Sequence, residues 1–171
     1  VASFGPLRSP AVSAAAGALH VILLGGWLGA MAFFAAVTAP AAFAVLPTRE
    51  LAGALVTRAL DRLDLAGLFL GPLCIVAAIG AHPRGAAGGR LAARLALVAG
   101  MTLAHAVSRT LVSPRMLALR LAMGDIIDRV AADHPLRAAF NQLHHLSVGL
   151  MAASLLAGLA ALLLALLPRR P

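Results

Sequence analysis

Apolar residues along this chain gather into four long blocks, about Ala14 to Thr38, Leu63 to Ala81, Leu91 to Val112 and His144 to Leu167, with most of the charge between them. The hydrocarbon core of a bilayer takes about 20 apolar residues in helical form, so each block predicts one crossing. Peptide groups in lipid find no water and must bond within their own segment, which makes each crossing a helix. The expected fold is all-α: an integral membrane four-helix bundle, one domain over residues 11–167. An even number of crossings puts both ends of that domain on one side.

The interruptions are ordered too. Pro40 and Pro114 each close a crossing, where a missing amide donor and a restricted preceding residue end or kink a helix. "TAPAAF" after the first crossing echoes "VSPRML" after the third, and each leads into a charged amphipathic stretch. In the first stretch Thr48 is placed as a cap with Glu50 in the opening turn, where the helix dipole favours an acid. Leu51, Leu55, Ala59 and Leu63 then form one face, and Glu50, Thr57, Asp61 and Asp64 another. In the second, Leu119, Met123, Ile126 and Val130 largely oppose Arg120, Asp125, Asp128 and Arg129. Asp133-His134-Pro135 restarts the chain with a capping residue ahead of a proline in the first turn. Nothing from Pro135 to Leu167 obliges a break, so the last helix is expected to be roughly 50 Å long. The second is expected from Thr48 to Ala81, with Gly71-Pro72 as a place to bend. The chain reads as a duplicated helix pair with amphipathic helical extensions on one membrane face.

Small residues recur every fourth position. Gly25 and Gly29, Gly67 and Gly71, the row Ala92, Ala96, Gly100, Ala104 and Ser108, and the row Gly149, Ala153, Ala157, Ala161 and Ala165 all keep this interval. Such rows let helix backbones approach closely in lipid, although an alanine-rich chain also produces them by chance.

Composition agrees with the pattern. Hydrophobic residues make up 61% of the chain and the mean hydropathy is +0.95, which leaves too little polar surface to cover a water-soluble globule. The formal charge of +8 comes from 14 basic residues, all arginine. They are scattered between apolar segments without aromatic stacking partners, which argues against nucleic acid and for anionic lipid headgroups as the partner, together with a homo-oligomer or membrane complex. Arg90 and Arg94 are expected to snorkel to those headgroups. Cys74 is the single cysteine, so no intramolecular disulfide forms. Arg8 ahead of an apolar run, with "AMA" at Ala30 to Ala32, imitates a secretory signal. The run continues from Ala11 to Leu46, several times a signal's apolar region, and is expected to be a membrane anchor. Arg8, Arg84, Arg90, Arg94, Arg169 and Arg170 lie on the terminal side with no acid, whereas all six acids lie opposite. That asymmetry favours cytoplasmic termini in a bacterial inner membrane.

No HExxH, GxSxG, phosphate-binding glycine loop or cysteine pair occurs. The candidates are polar groups in or beside the membrane, where they are costly. His20 shares a helical stripe with Trp27, Met31, Phe34 and Thr38, and His105 shares one with Met101 and Arg109. Imidazole beside thioether suits copper or haem iron, so His20 and His105 are the metal candidates, although no cofactor is predicted. Their distances from Pro40 and Pro114 separate them by roughly 16 Å along the normal, against a shared ion. The alternative for His20 is a hydrogen bond to a neighbouring helix. "NQLHHLS", Asn141 to Ser147, is the most suggestive cluster. His144 and His145 diverge by about 100° on a helix, but one of them can face His105, Arg109, Arg115 or Asp64. Such a group suits proton relay, anion contact or a weak metal site; the other reading is an interfacial anchor of the fourth helix.

"GGWLGAMAFFAAVTAPAAFAVLPTRELAG" (Gly25 to Gly53), "SRTLVSPRM" (Ser108 to Met116) and "FNQLHHLSVGLM" (Phe140 to Met151) resemble, in that order, the transmembrane protein 205-like family. The most specific pieces are Gly29, Phe33, Pro40 and Phe43 in the first crossing, the Pro114 segment, and Ser147 preceded by His144 or His145. The resemblance implies a small four-helix membrane protein under a domain of unknown function, with no established reaction. The expected role is non-enzymatic, a module that handles a solute or ion or supports a complex. The alternative is a haem- or copper-binding redox protein. A first-helix histidine near "GWLG" is similar to copper-resistance D-type proteins, and the size is similar to that of four-helix membrane protoporphyrinogen oxidases, whose lysine this chain lacks.

Overall fold

The computed structural model describes residues 9–82, 88–124, 130–131 and 133–167, and these form helices joined by short connections with no strand among them. Helix α1 (Pro10–Phe33) passes through a wide π-helical turn (Phe34–Thr38) into α2 (Ala39–Val45). Helix α3 (Arg49–Gly80) is continuous. Helix α4 (Gly89–Val107) passes through a second π-helical turn (Ser108–Val112) into α5 (Ser113–Met123), and α6 is Pro135–Leu166. The protein is therefore an all-α bundle of four apolar spans, Pro10–Val45, Arg49–Gly80, Gly89–Met123 and Pro135–Leu166, each long enough to cross a membrane.

Neither Pro40 nor Pro114 stops its helix, contrary to expectation. The ring of a proline crowds the carbonyl four residues back and offers that carbonyl no donor. In both places that carbonyl, of Ala36 or Thr110, lies in a π-helical turn that ends two residues before the proline. The wider turn accommodates the proline and the helix goes on. The actual stop comes at Leu46, which is extended ahead of Pro47, as a residue before proline prefers. Thr48 then caps α3, accepting from the Leu51 amide at 3.2 Å. Helix α5 ends on Gly124 at φ 63°, the left-handed conformation that glycine adopts without strain. At α6 the capping side chain is His134 and not Asp133, its Nδ1 accepting from the Leu136 amide. Asp125, Ile126, Asp128 and Arg129 of the second amphipathic stretch lie outside the described residues, as do Arg8, Arg84, Arg169 and Arg170.

Each long helix packs on two others: α1 on α3 and α6, α3 on α1 and α4, α4 on α3 and α6, which closes the ring. Leu24, Trp27, Leu28, Met31, Cys74, Val98, Met101 and Ala161 fill its centre. The outside is as greasy as the inside; Ile22, Phe69, Val76 and Leu156 each leave about two thirds of their surface uncovered, as lipid-facing side chains do. At one end Pro10, Ala81, Arg94 and Ala165 line a common cleft of about 630 Å³, so the spans run up, down, up and down. Arg90 lies there too, donating to the Leu167 carbonyl at 3.2 Å and binding the end of α6, where snorkelling was expected.

The helix faces differ from the expected ones. On α3 it is Ala52, Asp64, Gly67, Gly71 and Cys74 that turn inward, while Leu51 and Leu55 of the expected apolar face are exposed. In lipid the exposed side of a helix is the apolar one, so an amphipathic pattern no longer says which side is the core. The small-residue rows divide likewise. Gly67 and Gly71 do meet α4, where a Cβ on Gly67 would stand 2.8 Å from the His105 ring and one on Gly71 would overlap the Thr102 side chain. Gly25, Gly29, Gly100 and Gly149 have nothing within 4 Å of such an atom. On α4 the buried positions are Val98, Met101 and His105, and on α6 Phe140, Ser154, Gly158 and Ala161.

Candidate functional site

The polar core lies where α3 meets α4. Asp64 is 2% exposed, His105 3% and Ser108 5%. The Asp64 carboxylate accepts from both partners, Oδ1 from His105 Nδ1 at 2.7 Å and Oδ2 from the Ser108 hydroxyl at 2.6 Å. One turn outward on each helix, Arg109 donates to the Asp61 carbonyl at 3.0 Å and pairs with its carboxylate. The spacing explains the alignment: Asp61 and Asp64 are one turn apart on α3, and His105, Ser108 and Arg109 occupy the facing stretch of α4 and its π-helical turn. Two rungs result, a half-exposed ion pair and a buried hydrogen-bonded trio.

The imidazole of His105 packs between helices. Trp27 of α1 lies against it with ring centroids 5.2 Å apart and planes tilted by 38°, and Gly67 leaves room for it on α3. With Nδ1 donating to Asp64, Nε2 is buried and has no partner among the described residues, as does the Trp27 indole nitrogen. A void of about 10 Å³ touches Asp64, His105 and Ser108 together with Ser147, Met151 and Ser154 of α6. That is about the smallest space that holds one water. Ser108 donates to the carboxylate and not toward the free imidazole nitrogen, so the trio lacks the nucleophile-to-base bond of a hydrolytic triad.

A much larger groove lies beside it. Helices α2, α3, α5 and α6 enclose about 490 Å³, inside the range of roughly 300–1,000 Å³ usual for small-molecule sites. Phe34, Pro40, Phe43, Met116, Phe140 and Met151 supply its apolar wall, and Arg120 and His144 its polar end. The Arg120 guanidinium stands over the Phe140 ring, 5.7 Å from its centroid. Leu60, Ser147 and Met151 border both the groove and the small void, so one layer of side chains separates the groove from the Asp64–His105–Ser108 trio.

The residues singled out in the sequence are thus distributed. Asp64 and His105 meet directly. Arg109 belongs to the neighbouring rung with Asp61. His144 lines the groove; His145 is exposed, its ring 6.2 Å from that of His144. Arg115 is exposed and touches neither cavity. Of the family-type positions, Pro40, Phe43 and Ser147 line the groove, Gly29 and Phe33 face outward, and Pro114 follows the second π-helical turn. His20 lies deeper, wholly buried, with Nδ1 donating to the Cys74 carbonyl at 2.9 Å. The anchor points of the two histidines, Asp64 and Cys74, are ten residues apart on α3, about 15 Å of rise. Each histidine offers one buried nitrogen, and no group of three metal-ligating side chains stands together among the described residues. Sequence reasoning missed Ser108 and the groove. The matched spacing of Asp61 and Asp64 with His105, Ser108 and Arg109 signals the first; nothing local signals the second.

Four apolar spans around an interior acid–imidazole–hydroxyl trio define the class: a multi-pass helical membrane protein. Within that class, the family model described as Domain of unknown function (DUF4149) matches residues 22–125, more than half of the chain, and the chain belongs to that family. No curated protein and no solved structure matches it.

Proposed function

We propose that this chain is a non-enzymatic solute-handling module of the membrane, of the transmembrane protein 205-like type, and that the groove between α2, α3, α5 and α6 is where the solute is held. The observation that carries this reading is the groove itself, a cavity of small-molecule size with an apolar wall and a polar end at Arg120 and His144. The trio behind it supports a binding role over catalysis, because its serine hydroxyl is committed to the carboxylate. His105 lines the small void behind the groove's thin wall, where a water could respond to what the groove contains. The arginine-rich, acid-free terminal side supports cytoplasmic ends in a bacterial inner membrane.

The test is to extract the protein from membranes in mild detergent and examine it by native mass spectrometry, with a visible spectrum and a metal assay on the same sample. The reading expects a retained small molecule, no Soret band and no stoichiometric metal. A haem spectrum, or one copper per chain lost on replacing His20 or His105, would instead assign a redox protein.

A further inference from the structure

We propose that the groove seats one acyl chain of an anionic phospholipid from the surrounding bilayer, with the lipid phosphate at Arg120. This rests on the reading of the groove as a solute site and adds the chemical class of the solute. Three observations lead to it.

The first is charge. Among the described residues that line the groove, Arg120 is the one charged residue, and no acid belongs to that lining. A phosphate finds a partner there, whereas the ammonium of a zwitterionic headgroup finds none. The guanidinium is held in place from two sides, over the Phe140 ring of α6 and against α3 at Gly53, where a Cβ would lie 3.4 Å from Nη2. A planar fork fixed in this way suits a phosphate better than a mobile ammonium does.

The second is direction. Arg120 is four residues from the end of α5 at Gly124, and His144 is nine residues into α6 from Pro135. Both lie toward the membrane face where α5 and α6 are joined. Phe34 and Leu155, at the other end of the lining, lie deeper. From His144 to Leu155 is eleven residues of α6, about 16 Å of rise, comparable with an extended acyl chain of medium length. The polar-to-apolar axis of the groove therefore follows that of a lipid in the same leaflet.

The third is the wall. Apart from Arg120 and His144 the lining is aliphatic, aromatic or thioether, with a few hydroxyls, and the Thr57 hydroxyl is already committed to the Gly53 carbonyl at 2.7 Å. A chain satisfies this surface, and a polar solute would leave its own groups unpaired.

The experiment titrates the detergent-purified full chain with dioleoyl-phosphatidylglycerol or dioleoyl-phosphatidylcholine and counts retained lipids by native mass spectrometry. Sodium oleate and inorganic phosphate serve as competitors. The expected result is a single phosphatidylglycerol retained with a preference of about tenfold or more over phosphatidylcholine, displaced by neither competitor at equal concentration. Arg120→Gln abolishes the preference while Arg120→Lys keeps part of it, and Ala152→Phe, which fills the slot, loses both lipids. Equal retention of the two lipids by the unaltered chain overturns the proposal. So does a preference that survives in Arg120→Gln with an unchanged melting temperature, or displacement by phosphate or oleate alone. A different retained molecule that Ala152→Phe expels would sink the lipid and leave the solute site standing; if Ala152→Phe changes nothing that is bound, both fall.

Discussion

Asp64 holds two interior donors, His105 of α4 and Ser108 of the π-helical turn that follows it, one on each carboxylate oxygen. Replacing it by alanine leaves His105 Nδ1 and the Ser108 hydroxyl buried without an acceptor, at a cost of about 1–3 kcal/mol for an orphaned group. Ser108→Ala removes one bond and leaves the carboxylate its imidazole partner; interhelical hydrogen bonds in lipid are worth about 0.6–2 kcal/mol. Asp61→Asn, at a half-exposed pair, costs less than about 1 kcal/mol. Reversible unfolding in mixed micelles should rank Asp64→Ala as the most destabilising, then Ser108→Ala, then Asp61→Asn. A loss in Asp61→Asn as large as that in Asp64→Ala would mean that the outer rung, not the buried one, joins α3 to α4. The sequence groups Asp64 and His105 with Arg109, Arg115, His144 and His145 as one polar cluster near a membrane face; of these, the structure joins Asp64 to His105. The sequence also sets Asp64 on one polar face with Glu50, Thr57 and Asp61, of which the structure buries Asp64 alone, because the alternation around α3 looks the same whether water or a partner helix meets the acid.

Between helices, approach depends on two glycines. A Cβ on Gly71 overlaps the Thr102 hydroxyl and stands 3.1 Å from the Thr102 methyl group, so rotation that exchanges the two does not relieve it. Gly71→Ala should destabilise by about 1–3 kcal/mol, the usual cost of overpacking. Adding Thr102→Ala should recover most of that loss in a double-mutant cycle. Gly25→Ala and Gly29→Ala have open space and should be neutral or slightly stabilising, since alanine is the better helix former. Thermal melting of the four single variants and the Gly71/Thr102 double variant checks the set. Additive losses at Gly71 and Thr102 would show that the two side chains do not compete for the same space. The fourfold spacing of small residues was legible in the sequence, but which rows meet a neighbour depends on how each helix is rotated in the bundle. The prolines teach a related lesson. Their equivalent places after the first and third crossings were legible, yet each acts through a π-helical turn that prolongs the helix, since its carbonyl can be moved aside where the packing supports the wider turn.

For the whole molecule, the exposed apolar girdle makes the bilayer part of the fold. The protein should sediment with membranes after an alkaline carbonate wash and become monodisperse only on adding detergent. Recovery of folded, monodisperse protein in the wash supernatant would contradict the four-span architecture. The two larger cavities among the described residues lie at opposite ends of the bundle. One of about 630 Å³ borders Arg94 where the spans begin and end, and one of about 490 Å³ borders Arg120 where α2 and α5 reach past their prolines. Only the second adjoins the buried trio, through Leu60, Ser147 and Met151.

By itself the sequence determined the number of crossings, their helical form, and the equivalence of the two proline-bearing spans. Those follow from block lengths of apolar residues and from the backbone's need to bond within itself in lipid, which are properties of each segment alone. Tertiary structure alone decided that Ser108 joins Asp64 and His105, that His144 faces a groove and Arg115 does not, and which glycines touch. Those depend on the rotation of each helix about its axis. Lipid accepts apolar side chains on every face, so the hydrophobic pattern that sets rotation in water is mute here, and close packing with a few buried hydrogen bonds sets it instead.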